Sequence, residues 1–392
     1  MNSNSEGTAI PTEKITGMVI RMVNRKRIIE EFQELVAIDS PSFGEREMAD
    51  VLTKKLTALG FQVEEDGAGK VYGGNAGNLY AYLPGELEGP PLLLSAHMDT
   101  VEPSRNKKAI VKEDGTITSD GTTVLGADDL SGVTAILEAI RSIREEKLPH
   151  RSIEILFAIA EEVYIRGSEV FDYSFIKARE AYVLDLSGEI GTAALKAPTL
   201  VSFEAVFTGK AAHAGFAPEE GVHAIGTAAK AITSIQMGRI DKETTVNVGL
   251  IEGGLAKNIV PETCILKGEV RSIRHEKALE ETEKIRAAFE KSATESKAKL
   301  TFTTSYGCLA YETREEAPVV QRFEKACQEL SIPTLYVETF GGSDNNNFVR
   351  NGISGIVMAC GMSDVHSTKE HTHINDLEKC TQIVIKLLTS KN

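Results

Sequence analysis

The feature that most constrains this chain is an apolar run that ends in a histidine and an acid. Leu92–Ala96 is almost continuously apolar, which is typical of a central strand covered on both faces. His97 and Asp99 follow it two residues apart, so a continuing strand would place both side chains on one face. That position is the carboxyl edge of the strand, where open α/β sheets carry their sites. The run therefore predicts an α/β sheet with a polar, functional edge.

Strand-like and helix-like patterns alternate from about residue 25 to residue 192. Ile153–Ala160 and Ala181–Asp185 are strand-like, and Leu130–Ile143 has apolar residues at helical spacing. This alternation predicts an α/β sheet with a substantial parallel component. Residues 200–306 have a different order, strand, helix, strand, strand, helix, strand, which is the ferredoxin-like unit. We interpret it as a domain inserted into the first.

Composition excludes several classes of protein. The formal net charge of −14 and the pI near 5.2 argue against nucleic acid or an anionic membrane as a partner. No apolar stretch approaches the roughly 20 residues needed to cross a bilayer. Residues 1–20 are read as a tail that carries no fold. The five cysteines are scattered and form no CxxC pair, so we expect free buried thiols and a cytoplasmic protein.

Further acids follow apolar segments, and each has an ordinary explanation when taken alone. Asp128 and Asp129 could cap a helix, and Glu161-Glu162 could be a solvated pair after a strand. Asp185 carries the weakest individual signal. Several buried acids at one sheet edge need a shared counter-charge, because an unpaired charge is costly to bury. Two divalent metal ions would supply it, and the sequence therefore predicts metal-assisted hydrolysis.

These motifs resemble those of the M20 co-catalytic zinc metallopeptidases, most closely the peptidase T and peptidase T-like branch. The resemblance rests on His97-Met98-Asp99, Gly126-Ala127-Asp128-Asp129, Glu161-Glu162 and a late histidine followed four residues later by Glu. It implies a zinc-peptidase-type mixed sheet with helices on both faces and an inserted ferredoxin-like (βαββαβ) lid. The implied boundaries are 21–194 and 309–392 for the catalytic domain and 195–308 for the lid.

The resemblance also implies a role for each motif residue. His97 and Asp185 would hold one metal ion, and Glu162 and the late histidine would hold the other. Asp128 would bridge the two ions, Asp99 would orient His97, and Glu161 would be the general base. The ions implied are zinc, with manganese or cobalt as alternatives. Among His366, His371 and His373, His366 fits the pattern best because Glu370 follows it; the other two remain alternatives.

The inserted segment carries a second part of the resemblance. His213 in Gly209–Gly215 would stabilise the oxyanion, a role that preorganised donors can fill. Asn258 and Arg271 match lid positions that bind the substrate's C-terminal carboxylate, and an ordinary strand-end salt bridge is the alternative for Arg271.

Two departures from peptidase T proper put strict tripeptide recognition in question. Leu130 stands where peptidase T has lysine, and Phe340 stands where it has the arginine of an Arg-Gly-Gly-Thr-Asp-Gly segment. Gly342 and Ser343 are still predicted to face the substrate, in a tight turn.

The predicted function is hydrolysis of short peptides by an aminopeptidase that releases the N-terminal residue from tripeptides or similar substrates. One alternative is an acylase or deacetylase that acts on N-acyl amino acids with the same dimetal site. The other is a peptide-binding protein that has lost catalysis. The predicted partners are a short peptide and, through an exposed lid edge strand, a second copy of the chain.

Overall fold

A computed structural model describes residues 23–390, and the predicted tail of residues 1–20 lies outside the described residues. The chain divides into two compact units. Unit 1 comprises the described residues up to Leu195, Thr313–Val337 and the described residues from Ser343 onward. Unit 2 comprises Lys196–Glu312 and Glu338–Gly342.

The α-helices of the described part are α1 Arg25–Val36, α2 Arg46–Ala58, α3 Ala68–Tyr72, α4 Ala127–Glu145, α5 Arg166–Glu169, α6 Ala224–Thr233, α7 His275–Glu295, α8 Pro318–Glu329, α9 Asp344–Arg350 and α10 Ile374–Thr389. Its strands are β1 Gln62–Glu65, β2 Leu79–Leu83, β3 Leu87–His97, β4 Ile110–Val111, β5 Thr116–Thr118, β6 Arg151–Ala158, β7 Glu180–Leu186, β8 Thr192–Ala197, β9 Thr199–Thr208, β10 Gly238–Arg239, β11 Thr244–Gly253, β12 Thr263–Ser272, β13 Lys299–Cys308, β14 Tyr311–Glu312, β15 Leu335–Glu338, β16 Ser354–Ala359 and β17 His371–His373.

The main sheet is mixed, as the sequence predicts. Its strand order is β1-β2-β6-β3-β7-β16-β8-β14, with β15 also paired to β8. The central strands β6, β3, β7 and β16 run parallel, and β2 and β8 flank them antiparallel. The second half of β3, from Leu92 on, is completely buried, because helices cover the sheet on both faces. The predicted α/β class is therefore confirmed.

Parallel strands bring their carboxyl ends to one edge, and this edge organises the polar residues. β3 ends at His97, Asp185 lies near the end of β7, and Glu161 follows β6 by a short turn. Helix α4 packs against β3 and β7 and begins beside the same edge. Its first residues, Asp128 and Asp129, have non-helical backbone angles, so the regular helix starts only after the acid pair.

Unit 2 has its own sheet and its own core. The strand order is β10-β11-β12-β9-β13, and α6 and α7 pack against it. The core includes Phe289, whose ring contacts the rings of Phe203 and Phe207. The element order reproduces the predicted βαββαβ unit, with the two-residue strand β10 added before β11.

Two expectations from composition can be compared with the described residues. All five cysteines are free and buried, as expected. Within residues 23–390, no helix is both long enough and apolar enough to cross a membrane.

Candidate metal centre

The first group of potential metal ligands consists of His97, Asp128 and Asp185. One ligand atom from each lies within 4.8 Å of the others. The Nε2 atom of His97 is 3.0 Å from Oδ1 of Asp128 and 4.0 Å from Oδ1 of Asp185. The His97 and Asp185 positions are fixed by the neighbouring strands β3 and β7, and all three side chains are largely buried.

The second group consists of Asp128, Glu162 and His366. The Nε2 atom of His366 is 3.2 Å from Oδ2 of Asp128 and 2.9 Å from Oε2 of Glu162. Asp128 thus directs one carboxylate oxygen to each group. The arrangement can accommodate two ions that share one bridging carboxylate.

The tautomer of His97 suits a ligand that binds through Nε2. Its Nδ1 atom is 2.9 Å from the backbone carbonyl oxygen of Asp99, which can only accept a hydrogen bond. Nδ1 therefore carries a proton, and Nε2, the nitrogen left for a metal ion, faces the acids. A metal-bound histidine usually donates its other N–H in this way.

The Asp99 carboxylate has a wider set of contacts than orientation of His97 requires. It is 3.5 Å from Nδ1 of His97, but Oδ1 accepts a hydrogen bond from the N–H of Glu161 at 3.0 Å. Oδ2 accepts from the N–H of Glu162 at 3.3 Å and from the hydroxyl of Ser42 at 2.6 Å. Asp99 thus fixes the backbone that carries both glutamates.

Glu161 lies beside the first group without belonging to either group. Its Oε2 atom is 4.0 Å from Nε2 of His97, and the residue is only 8 % exposed. Burial raises the pKa of Glu161 well above its usual value, and the charges of Asp344, Glu162 and Asp99 add to this effect against the opposing influence of His97. A carboxylate with a raised pKa is suited to proton transfer near neutral pH.

The donor set fits divalent cations. Burial raises the pKa of Asp185 and of Glu162, and neighbouring acids reinforce the shift in both. Oε1 of Glu162 is buried and has no hydrogen-bond partner among the described residues. Burial also opposes the ionisation of Asp128, but hydrogen bonds from His366 and His97 outweigh it and lower its pKa. Carboxylate oxygens and imidazole nitrogens at these separations are ordinary ligands of Zn²⁺, which also suit Mn²⁺ and Co²⁺.

The three late histidines have different surroundings. His366 belongs to the second group, whereas His371 and His373 belong to neither of the two groups found among the described residues. His373 caps α10, because its Nδ1 accepts a hydrogen bond from the N–H of Asn375. His371 lies in β17, with Nδ1 3.2 Å from the carbonyl oxygen of Lys369.

In unit 2, His213 has a defined tautomer. Its Nδ1 accepts hydrogen bonds from the N–H groups of Gly215 at 3.1 Å and Phe216 at 3.2 Å. The ring also stacks on Phe216, with 4.2 Å between centroids. Because Nδ1 is an acceptor, the proton of the neutral ring lies on Nε2, which is then a donor.

The other predicted substrate-binding residues already have contacts inside the units. Arg271 binds both oxygens of Glu269, at 2.7 and 3.2 Å, and donates to the carbonyl oxygen of Phe340 at 2.9 Å. Asn258 is exposed and accepts a hydrogen bond from the N–H of Ala214 through its backbone oxygen. Gly342 ends the last segment of unit 2. Ser343 is buried and stands at the N-cap of α9, so the segment that we predicted as a turn leads directly into a short helix.

Two buried acids beside the centre were missed by the sequence reasoning. Asp344 is 1 % exposed and accepts a hydrogen bond from the Ser168 hydroxyl at 2.5 Å. Glu45 is fully buried and accepts from the N–H of Ala160 at 3.0 Å. Asp344 directly follows Gly342 and Ser343, the residues of the predicted substrate-facing turn, and could have been found there. Glu45 precedes an ordinary amphipathic helix and gave no signal.

Comparison with family models gives two matches along the chain. The peptidase dimerisation domain of the M20 peptidases matches residues 197–297, which lie in unit 2. The model of peptidase family M28 matches residues 78–229, a segment that includes His97, Asp128, Glu162 and Asp185 but not His366.

Solved structures and a curated relative resemble nearly the whole chain. A tripeptidase from Staphylococcus aureus is 35 % identical with a TM-score of 0.90, covering 94 % of this chain and 98 % of its own. The aminopeptidase PepT from Bacillus cereus is 38 % identical with a TM-score of 0.86, covering 94 % and 99 %. Peptidase T of Fusobacterium nucleatum is 25 % identical, covering 96 % of this chain and 92 % of its own.

The fold and the candidate ligand groups define a metallopeptidase. Within that class, the chain belongs to the M20 family, in the branch of peptidase T and its relatives. The two ligand groups support a pair of divalent metal ions.

Proposed function

We propose that this M20 peptidase is a dinuclear zinc aminopeptidase that releases the N-terminal residue from tripeptides or similarly short peptides. The observation that carries the proposal is the position of Asp128, with one oxygen 3.0 Å from His97 and the other 3.2 Å from His366. The likeness to a tripeptidase and to an aminopeptidase over more than nine tenths of the chain supports the substrate class.

In the proposed site, His97 and Asp185 would hold one ion, Glu162 and His366 would hold the other, and Asp128 would be a ligand of both. When bound, the two ions would supply Lewis acidity, which polarises a substrate carbonyl and lowers the pKa of a water molecule towards about 7. The chain contributes the geometry: Asp99 holds the backbone of Glu161 and Glu162 in place through hydrogen bonds at 3.0 and 3.3 Å.

Glu161 is the proposed general base. As the water oxygen bonds to the scissile carbonyl carbon, the Glu161 carboxylate accepts the water proton. When the C–N bond breaks, the protonated Glu161 delivers that proton to the leaving amine, and the carboxylate is restored. His213 would donate its Nε2–H to the oxyanion, a role for which its tautomer is suited. Asn258, Arg271, Gly342 and Ser343 remain the proposed substrate contacts.

A substrate panel tests the proposal. Zinc-reconstituted protein is offered dipeptides, tripeptides and tetrapeptides with a free amine, the same peptides N-acetylated, and N-acetyl amino acids. We expect cleavage of the free-amine short peptides, with the tripeptides cleaved fastest. Glu161→Gln protein purified in parallel excludes a contaminating peptidase.

The other outcomes of the panel each have a defined meaning. Cleavage of N-acetyl amino acids alone would replace the aminopeptidase with an acylase that uses the same site. No cleavage by protein shown to hold two ions per chain would favour a peptide-binding protein without catalysis.

The proposed protein partner is a second copy of the chain, bound through the unit 2 sheet. The match to a peptidase dimerisation domain supports this assignment. Strand β10 pairs with the outer edge of β11 only at Thr245 and Val246. Among the described residues, no strand pairs with the rest of that outer edge of β11. Leu250 and Ile251 on this uncovered part are 56 % and 54 % exposed. An uncovered edge with apolar side chains favours strand pairing between copies.

Sedimentation velocity tests this interface. We expect a dimer for the wild type and a shift to monomer for Leu250→Lys at the same concentration. Leu335→Lys is the control, because Leu335 is also an exposed strand leucine, at 59 %, but lies in unit 1. A wild-type monomer, or an L250K variant that remains dimeric, would contradict the assignment of this edge.

A further inference from the structure

One buried carboxylate connects the two loops that carry second-group ligands. Glu370 is 1 % exposed, and its side chain accepts three backbone hydrogen bonds. Oε2 accepts from the N–H groups of Leu125 and Gly126, each at 2.7 Å, and Oε1 accepts from the N–H of Asp128 at 2.9 Å. These donors converge because Gly126 has a positive φ of 79°, a conformation that glycine adopts readily.

The same glutamate also belongs to the segment of His366. The N–H of Glu370 donates to the carbonyl oxygen of Ser367 at 3.1 Å, which closes a turn directly after His366. His366 itself has a positive φ of 60°, a conformation that a non-glycine residue keeps only when its surroundings hold it. Glu370 therefore holds the His366 turn against the loop that ends in Asp128.

The two ligand groups depend on this link to different degrees. In the first group, His97 ends β3 and Asp185 lies within β7, and only Asp128 is on a loop that Glu370 contacts. In the second group, Asp128 and His366 are both on segments tied to Glu370, and the His366 side chain is 52 % exposed. Loss of the link would therefore disturb two of three ligands in the second group but one of three in the first.

We propose that Glu370 is a positioning residue that sets the metal affinity of the second group by holding the loops of Asp128 and His366 together. This inference rests on the proposed dimetal function. It concerns a residue that binds neither ion in the proposed arrangement and acts only through backbone N–H groups.

Glu370→Gln tests the link with minimal change of shape. The glutamine amide keeps one oxygen that can accept hydrogen bonds. Its NH₂ group cannot accept one, so at least one backbone N–H that Glu370 binds loses its acceptor. We expect zinc titration by calorimetry to show two sites in the wild type. In E370Q the second-group site should lose about 10- to 100-fold in affinity, the range typical of residues that support metal ligands. The first-group site should change less.

Glu154→Gln is the matched control. Glu154 is also fully buried in unit 1, and its carboxylate accepts hydrogen bonds from the backbone N–H groups of Lys177 and Ala178. It lies in the first half of β6, seven residues before Glu161, and contacts no proposed ligand in the described structure. We expect E154Q to lose thermal stability while both zinc affinities stay at the wild-type value.

Equal zinc affinities in E370Q and the wild type would overturn the inference, and so would equal losses at both sites. If E370Q does not fold, Glu370→Asp replaces it, since it keeps the charge but shortens the reach by one methylene. Hydrogen exchange of metal-free wild-type protein gives a third measurement, in which the amides of Leu125, Gly126 and Asp128 should be protected. Rapid exchange there would also overturn the inference.

The experiment separates this inference from the proposed function. Two zinc sites with a selective loss in E370Q, in a protein that cleaves no peptide, would support the positioning role and contradict the aminopeptidase. A wild type with fewer than two sites would contradict the dimetal function itself, and the inference about Glu370 would fall with it.

Discussion

The two units hold their predicted site residues in different ways. In unit 1, the five predicted ligands form two overlapping groups, with contacts as short as 2.9 and 3.0 Å and little solvent exposure except at His366. In unit 2, the predicted residues are separate: His213 has a partner that sets its tautomer, and Arg271 is already paired with Glu269. Both sets came from the same kind of sequence argument.

The difference reflects what each set has to bind. Acids that surround a metal must be buried close together, and burial, reinforced by the charges of neighbouring acids, raises the pKa of Asp185 and of Glu162. A metal centre can therefore be recognised from the close packing of its buried acidic ligands alone. Residues that bind a flexible peptide do not have to be buried close together. Their hydrogen-bonding groups can therefore be paired with other groups of the protein.

The largest effect is expected from the shared ligand. Asp128→Ala removes one of three ligands from each group, so both zinc affinities should fall and peptide turnover should drop below detection. Metal analysis after dialysis and a tripeptide assay measure the two effects. Asp50→Ala is the control, because the contact that the described structure gives Asp50 is an exposed ion pair with Arg46, and its loss should change neither quantity. Two retained ions in D128A would show that this carboxylate is not the bridge.

The neighbouring glutamates should separate catalysis from metal binding. Glu161→Gln removes the proposed base, and kcat should fall by about 10²- to 10⁴-fold while two zinc ions per chain remain bound. Glu162→Gln alters a second-group ligand instead, so it should lose one ion as well as turnover. The pair is well matched, since the two residues are adjacent and both N–H groups are held by Asp99. Near-wild-type turnover in E161Q would rule out Glu161 as the base.

In unit 2, the largest effect should come from His213. His213→Ala removes the proposed oxyanion donor, and kcat should fall by about 10²- to 10³-fold with little change in zinc content. His223→Ala is the control, because its Nδ1 likewise accepts a backbone N–H, from Gly226 at 3.0 Å, but caps α6. It should cost about 1 kcal/mol of stability and leave kcat unchanged. Equal kcat values for H213A and H223A would contradict the assigned role.

The sheet, the inserted unit and the cluster of acids could be predicted because each produces a recognisable pattern of residues in the sequence. Alternating apolar runs predicted the parallel strands, and acids after Leu92–Ala96 and Ile153–Ala160 predicted the polar edge. The contacts of Asp99 with the N–H groups of Glu161 and Glu162 could not be predicted, because backbone donors leave no trace in the sequence. Glu45 was missed for the same reason, since the N–H of Ala160 is its partner.

The environment of Arg271 could have been read from the sequence. Glu269 and Arg271 are two residues apart on β12, so the strand period places both side chains on one face. Their bidentate pair has the geometry that arginine favours with a carboxylate. Sequence spacing alone therefore supported the salt-bridge alternative as strongly as the proposed carboxylate-binding role.

The smallest effect is expected from Arg271→Ala. A charge-assisted hydrogen bond to a substrate carboxylate is worth about 1.5–3 kcal/mol, which would raise KM by tenfold or more. The Arg271 guanidinium shares its charge with Glu269 and donates to the carbonyl oxygen of Phe340, so we expect KM to rise less than tenfold. Lys267→Ala is the control, since Lys267 lies on the same strand and pairs with Glu204 at the surface. A much larger rise in KM for R271A than for K267A, abolished when the substrate is a C-terminal amide, would show that Arg271 binds the substrate carboxylate despite its internal partners. Site residues of both units would then be paired with a bound ion of opposite charge. In unit 1 that ion would be the metal, and at Arg271 it would be the substrate carboxylate.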